Sequence, residues 1–204
     1  FFFVFSVFSF LLPMPRETLF TAARKGDVER LTSYLENGGS PNEKDDETNR
    51  GVSLLQCAVI GGQEDIVDML IKHKANPDYA DKDETTALHF AADRGLSNMT
   101  QKLLDAGADT DVKDSGKRTP LHFACNGGHV DVVRLLLDSG ATPNGKNVAG
   151  WTALHYAASK GSTEIVELLM SNRARLNVKD QGDQLPCDLA KENGHMELAQ
   201  RLQP

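Results

Sequence analysis

Thr119-Pro120-Leu121-His122-Phe123-Ala124-Cys125-Asn126-Gly127-Gly128 decides the fold, because nearly every residue in it has a task at the start or end of a short helix. The Thr119 oxygen can cap exposed backbone N–H groups, and Pro120 suits the first helical position, where no N–H is missed. Leu121 and Ala124 share one face, and alanine is small enough to let a neighbouring helix approach. Gly127-Gly128 allows the left-handed backbone that ends the helix. Downstream, Val132, Val133, Leu136 and Leu137 form the apolar stripe of a second helix, which Gly140 stops. Ala141-Thr142-Pro143-Asn144 through Gly150 reads as an extended, turn-rich connection.

The same pattern runs outward in both directions. An alanine is followed four residues later by a glycine at Ala22/Gly26, Ala58/Gly62, Ala91/Gly95, Ala124/Gly128, Ala157/Gly161 and Ala190/Gly194, and successive alanines stand 36, 33, 33, 33 and 33 residues apart. A period that fills almost the whole chain means a stack of one small unit, with apolar burial spread over thin interfaces between neighbours. Such a stack points to a binding scaffold rather than an enzyme.

The unit resembles the ankyrin repeat. The motif T-P-L-H-x-A is matched by Thr86-Ala87-Leu88-His89-Phe90-Ala91, Thr119 to Ala124, and Thr152-Ala153-Leu154-His155-Tyr156-Ala157. Weaker copies extend the likeness over residues 17–204, with approximate repeats 17–49, 50–82, 83–115, 116–148, 149–181 and 182–204. The resemblance implies an all-α repeat protein: an ankyrin solenoid of antiparallel helix pairs with projecting β-hairpin loops. It also implies that His89, His122 and His155 tie adjacent loops together by hydrogen bonds. Copy one (Glu17 to Ala22) and copy six (Leu185 to Ala190) lack the Thr/His pair and read as caps. Copy two carries Ser53 and Gln56 instead, which keeps a polar cap contact without the imidazole. Three extra residues in the first interval fit the polar stretch Glu43 to Arg50 as a longer loop. Where other second helices stop at glycine, copies two and five have Lys74 and Arg173, so these units are expected to be locally weaker.

A formal net charge of −7 argues against general attraction to phosphate backbones, so no nucleic-acid partner is expected. Cys57, Cys125 and Cys187 are odd in number and far apart, which suits buried apolar roles in a reducing compartment, cytoplasmic or nuclear. The first sixteen residues differ in kind. Phe1 to Leu12 is uncharged and holds six of the nine phenylalanines, yet a bilayer core takes roughly 20 apolar residues. Three readings stand: an upstream artefact preceding a natural start at Met14, a truncated signal or anchor, or a hydrophobic docking tail. Membrane association is expected only if this segment is a genuine anchor.

No catalytic, cofactor-binding or metal-binding residues are expected. His122-x-x-Cys125-x-x-x-His129 has ligand-like spacing, but the repeat register accounts for its histidines. His129 and His195 each follow a turn glycine, a position typical of the family. Ser115-Gly116-Lys117-Arg118-Thr119 lacks the early glycine of a phosphate loop, where Asp111 stands instead. The carboxylates are dispersed without a convergent pair and read as a solvated surface.

Hairpin tips and the exposed ends of the first helices line one continuous face of such a solenoid. The candidates for holding a partner protein there are Lys82, Asp83, Asp93, Arg94, Lys117, Arg118, Asn126, Trp151, Ser159 and Lys160. Five of these, Lys82, Arg94, Lys117, Arg118 and Lys160, form a basic strip suited to an acidic partner surface, or else a mixed solvated face balanced by Asp83 and Asp93. Trp151 stands where a hot-spot residue would, and where the family also packs an aromatic side chain on the adjacent hairpin. Family members are substrates of an asparaginyl hydroxylase that modifies a loop asparagine with a leucine eight positions earlier. Asn144 with Leu136 and Asn177 with Leu169 fit that pattern, and both also suit plain turn hydrogen bonding. The expected product is a monomeric, non-catalytic adaptor. The alternatives are the regulatory ankyrin part of a longer enzyme, kinase or channel, or a proteasome-assembly chaperone of the gankyrin type, which Gly150 to Gly161 resembles.

Overall fold

The computed structural model describes residues 16–45 and 50–204. The apolar stretch Phe1–Leu12, the Met14 start and the centre of the long first loop therefore lie outside the described residues. Twelve helices are present among those described: α1 (Arg16–Lys25), α2 (Val28–Glu36), α3 (Leu54–Gly61), α4 (Glu64–Lys72), α5 (Ala87–Asp93), α6 (Ser97–Asp105), α7 (Pro120–Gly127), α8 (Val130–Asp138), α9 (Ala153–Lys160), α10 (Thr163–Ser171), α11 (Pro186–Glu192) and α12 (Met196–Arg201). Each odd-numbered helix pairs with the even one after it. Odd helices stack in one layer from α1 to α11, and even helices in a second layer behind them.

Single helices this short are marginal in water, so packing must hold them. The packing is periodic. Leu55, Leu88, Leu121 and Leu154 are at most 1% exposed, and Leu70, Leu103, Leu136 and Leu169 are fully buried on the second helices. These rows fuse into one apolar core along the stack. The paired Ala/Gly positions now have separate causes. Each alanine is buried where first helices approach one another. Each glycine adopts positive φ, as at Gly128 (74°). Gly95 has a further constraint, since a Cβ there would stand 2.5 Å from the His129 ring.

Lys74 and Arg173 hold the left-handed conformation that glycine holds elsewhere, at φ 63° and 66°. The projecting hairpins are tight. Their bases close through Asp81 N–H to Thr85 O, Asp114 N–H to Arg118 O, Asn147 N–H to Trp151 O and Asp180 N–H to Gln184 O, all at 2.9–3.0 Å. An antiparallel bridge joins Lys44 and Ser53 at the first hairpin.

Candidate binding face

The histidine row is built from the helix starts. In α5, α7 and α9, Nδ1 of the imidazole accepts from the backbone N–H of the preceding threonine at 3.0–3.1 Å, and the threonine hydroxyl lies 2.8–2.9 Å from the same nitrogen. The proton must therefore sit on Nε2. From there His89 donates to the Arg118 carbonyl at 3.0 Å, His122 to those of Gly145 and Trp151 at 3.0 and 3.2 Å, and His155 to that of Gln184 at 3.4 Å. Burial lowers the pKa of all three imidazoles, and the bonds to backbone carbonyls only partly oppose it. Gln56 does the same work in α3: its Oε1 accepts from Ser53 N–H at 2.7 Å and its Nε2 donates to Thr85 O at 2.5 Å. Copy six keeps half of the device, since Asp188 Oδ2 accepts from Leu185 N–H at 2.9 Å.

A second row holds the hairpin tips. Lys82 N–H donates to Arg50 O, Ser115 to Asp83, Val148 to Gly116 and Gln181 to Ala149, each at 3.0 Å. Inside each tip a side-chain oxygen closes the turn: Asp81 Oδ1 accepts from Asp83 and Thr85, Asp114 Oδ1 from Arg118, Asn147 Oδ1 from Ala149 and Trp151, and Asp180 Oδ1 from Gly182 and Gln184. The expectation that the carboxylates are a solvated surface fails here. Asp45, Asp81 and Asp114 are only 3%, 7% and 2% exposed, and the last two are buried as acceptors of turn N–H groups. A third row links successive loops through Asn42 to Asn76, Asp78 to Asp109, Asp111 to Thr142 and Asn144 to Arg175, side-chain oxygen to backbone N–H.

The expected contact residues fall along the tips and the inner helices. Lys82, Asp83, Asp93, Arg94, Lys117, Arg118, Asn126 and Lys160 are exposed, whereas Trp151 and Ser159 are half-buried. The basic strip is weaker than its sequence suggests. Arg118 donates through Nε to Asp114 Oδ2 at 2.8 Å, pairs with it again through its terminal nitrogen at 2.6 Å, and covers the Phe123 ring at 4.4 Å. Arg94 donates to the Ile60 carbonyl. Asp83 lies 3.9 Å from Arg50. Lys117 and Lys160 make no ion pair among the described residues, and Lys117 is held at φ 57°. Ser159 accepts from Asn193 at 3.4 Å, and the Asp93 carbonyl accepts from His129 Nε2 at 2.9 Å.

Trp151 packs on the adjacent hairpin. Its indole N–H donates to Asp180 Oδ2 at 2.9 Å, and its ring stacks on His155 at 6.1 Å and meets Tyr156 edge-on at 5.0 Å. Asn144 spends both side-chain atoms on the next repeat, donating to Arg173 O and accepting from Arg175 N–H. Asn177 is exposed.

A family model for ankyrin repeats, three copies in length, matches residues 19–114 and again 91–180. The chain belongs to the ankyrin-repeat family. It is also similar to the ankyrin repeat protein FPV222 of fowlpox virus (strain NVSL), being 37% identical over 71 residues, which are 35% of this chain and 9% of that protein. The chain thus spans about a tenth of the length of the curated relative it matches. Ankyrin repeats generally mediate protein–protein interaction, and the family is typically non-enzymatic.

Within the ankyrin stack, Phe90, Phe123 and Tyr156 are half-buried on the inner helices, one per repeat, beside the histidine row. His89 meets Phe123 edge-on at 5.5 Å, and His122 meets Tyr156 at 5.9 Å. Sequence reasoning missed this row, although its signal is plain: the residue after the signature histidine is aromatic in all three clear copies. A cleft of about 380 Å³ is lined by Phe90 and Phe123 together with Thr85, Asp83, Asp93 and Arg50. The thiols are buried, which pushes Cys57 up to about 11 and Cys125 well above the usual thiol range. Among the described residues no group of three or more His, Cys, Asp or Glu could hold a metal ion, and no helix is long and apolar enough to cross a membrane.

Proposed function

We propose that this chain is a non-catalytic adaptor that binds a protein partner on the face made by its hairpin tips and first helices. The observation that carries this reading is the tip row. The tips are fastened to one another through backbone atoms, so the side chains of Lys82, Asp83 and Lys117 stand exposed on a surface already formed before binding. A pre-formed surface limits the ordering cost of association.

Lys117 and Lys160 support an acidic patch on the partner, since neither is neutralised within the described residues. Asn126, Ser159 and the edge of Trp151 supply polar and aromatic contacts beside them. The adaptor acts as a monomer, and its three unpaired, buried cysteines suit the cytoplasm or nucleus. The test is affinity capture with Lys117→Glu/Lys160→Glu against the parent protein. Loss of a specific partner, with an unchanged melting temperature, supports the reading; an identical set of captured proteins overturns the acidic-partner assignment.

Asn177, and less readily the doubly bonded Asn144, are proposed hydroxylation positions, tested by the mass gain of one oxygen on incubation with an asparaginyl hydroxylase. A second reading is favoured by the length of the fowlpox relative, of which the matched stretch is 9%. On that reading the chain is the regulatory portion of a longer enzyme, kinase or channel, or a chaperone of proteasome-assembly type.

A further inference from the structure

The hairpins that lead into α5 and α7 differ at one point of an otherwise shared construction. In the one before α7, Asp114 uses Oδ1 to close its turn at Arg118 N–H, and Oδ2 to hold the Arg118 guanidinium over Phe123. Thirty-three residues earlier, Asp81 closes its turn in the same way, Oδ1 accepting from Thr85 N–H at 2.9 Å, and Phe90 supplies the ring. Position 85 is threonine, however, so no guanidinium follows. Asp81 is 7% exposed and its Oδ2 is buried without a hydrogen-bond partner. Both carboxylates are anchored by Oδ1 on the same turn amide, so the fourth-repeat pairing of Arg118 with Asp114 is the guide to what Oδ2 of Asp81 can accept. Thr85, which bonds to Asp81, and Phe90 both line the cleft described above.

We propose that this slot receives an arginine side chain from the partner protein, laid over Phe90 and paired with Asp81 Oδ2 as Arg118 is laid over Phe123 and paired with Asp114. The inference rests on the reading of this face as the binding surface and specifies one chemical group that the surface selects. A buried carboxylate oxygen lacking a donor is costly, and an incoming charged donor recovers that cost. A planar guanidinium suits the slot better than an ammonium, because it can stack on a ring and present several N–H groups edge-on. Asp93 lines the same cleft and offers a further carboxylate to the remaining N–H groups. The two arginines lining the cleft are engaged elsewhere, Arg50 with Asp83 and Arg118 with Asp114.

The probe is the tripeptide acetyl-Gly-Arg-Gly-amide, titrated into the full chain and followed by amide chemical shifts, with the lysine and citrulline tripeptides as comparisons. Expected are saturable shifts confined to the Asp81–Phe90 hairpin, several-fold weaker binding of the lysine peptide and none of the citrulline peptide. Asp81→Asn keeps the turn, as Asn147 does in the hairpin before α9, and should weaken binding at least fivefold. Thr85→Arg fills the slot from within and should abolish binding while raising the melting temperature. Arg118→Thr should open a second slot and produce new shifts around Phe123. Equal binding by the parent and Asp81→Asn, or shifts spread evenly over all acidic residues, overturns the proposal. Because these readouts use the tripeptide alone, they fail independently of any result on the partner captured through Lys117 and Lys160.

Discussion

Helix α3 opens on Ser53 and Gln56, helix α7 on Thr119 and His122, and both helix starts make the same two kinds of bond. An acceptor faces the N-cap N–H, and a donor reaches a carbonyl 29 residues ahead, in the next repeat. What the position demands is therefore a side chain with an acceptor on one end and a donor on the other. Imidazole meets the demand only while it is neutral, whereas the amide of Gln56 meets it at any pH. The interface ahead of α3 and those ahead of α5, α7 and α9 are thus alike in geometry and unlike in their response to acid.

Breaking the fourth-repeat version should have the largest effect. His122→Ala leaves the Thr119 N–H and the Gly145 carbonyl without this partner, takes one of two donors from the Trp151 carbonyl, and is expected to cost about 3 kcal/mol in urea denaturation. His122→Gln should recover most of that, and failure to do so would show that the ring's contact with Tyr156 matters more than its two bonds. Acid probes the same contrast at smaller amplitude. The folded-state pKa of His89, His122 and His155 lies below the ordinary value of 6.5, so the unfolded chain binds more protons just below that pH. Their contribution is complete above about pH 6.5 and is lost as the pH falls toward the folded-state values. A melting-temperature series from pH 7.5 to roughly pH 5 should therefore decline, and the triple variant His89→Gln/His122→Gln/His155→Gln should decline less.

Thr100 sharpens the comparison within the second-helix layer. It is fully buried with an unpartnered hydroxyl, where the neighbouring repeats place Val67, Val133 and Val166. Thr100→Val is expected to stabilise by about 1 kcal/mol, read as a raised urea midpoint. The smallest effect belongs to the helix stops. Lys74→Gly or Arg173→Gly relieves a left-handed side chain and should gain about 0.5–1 kcal/mol; no gain at either site would mean that the surrounding turn already compensates the strain.

Much of this was legible in the sequence because the repeat makes each position report several times. The helix pairs, the role of the histidines and the positive φ at Lys74 and Arg173 all follow from aligning copies. The acidic residues illustrate what does not follow. Asp81, Asp114, Asn147 and Asp180 recur every 33 residues, yet a carboxylate in a polar loop reads as solvated until the turn amides are seen to enclose it. For the same reason Arg118 counts as a free cation in sequence and is paired with Asp114 in structure. Positive φ at Glu84, Lys117 and Asp183 was equally hidden, because the tight turn imposes it on residues that do not favour it.

The tip row joins each hairpin to the next by a main-chain bond, and this separates two kinds of information. Where the scaffold is specified by N–H and C=O groups, which every residue but proline possesses, exchanging a tip side chain alters what is displayed and not where it is displayed. Residues 82, 115, 148 and 181 act as addresses at a constant pitch, each able to carry a different chemical message. A partner that reads two adjacent addresses gains specificity from their spacing as well as from their contents. Changing its recognition then requires rewriting side chains at the tips, with the framework beneath left as it is.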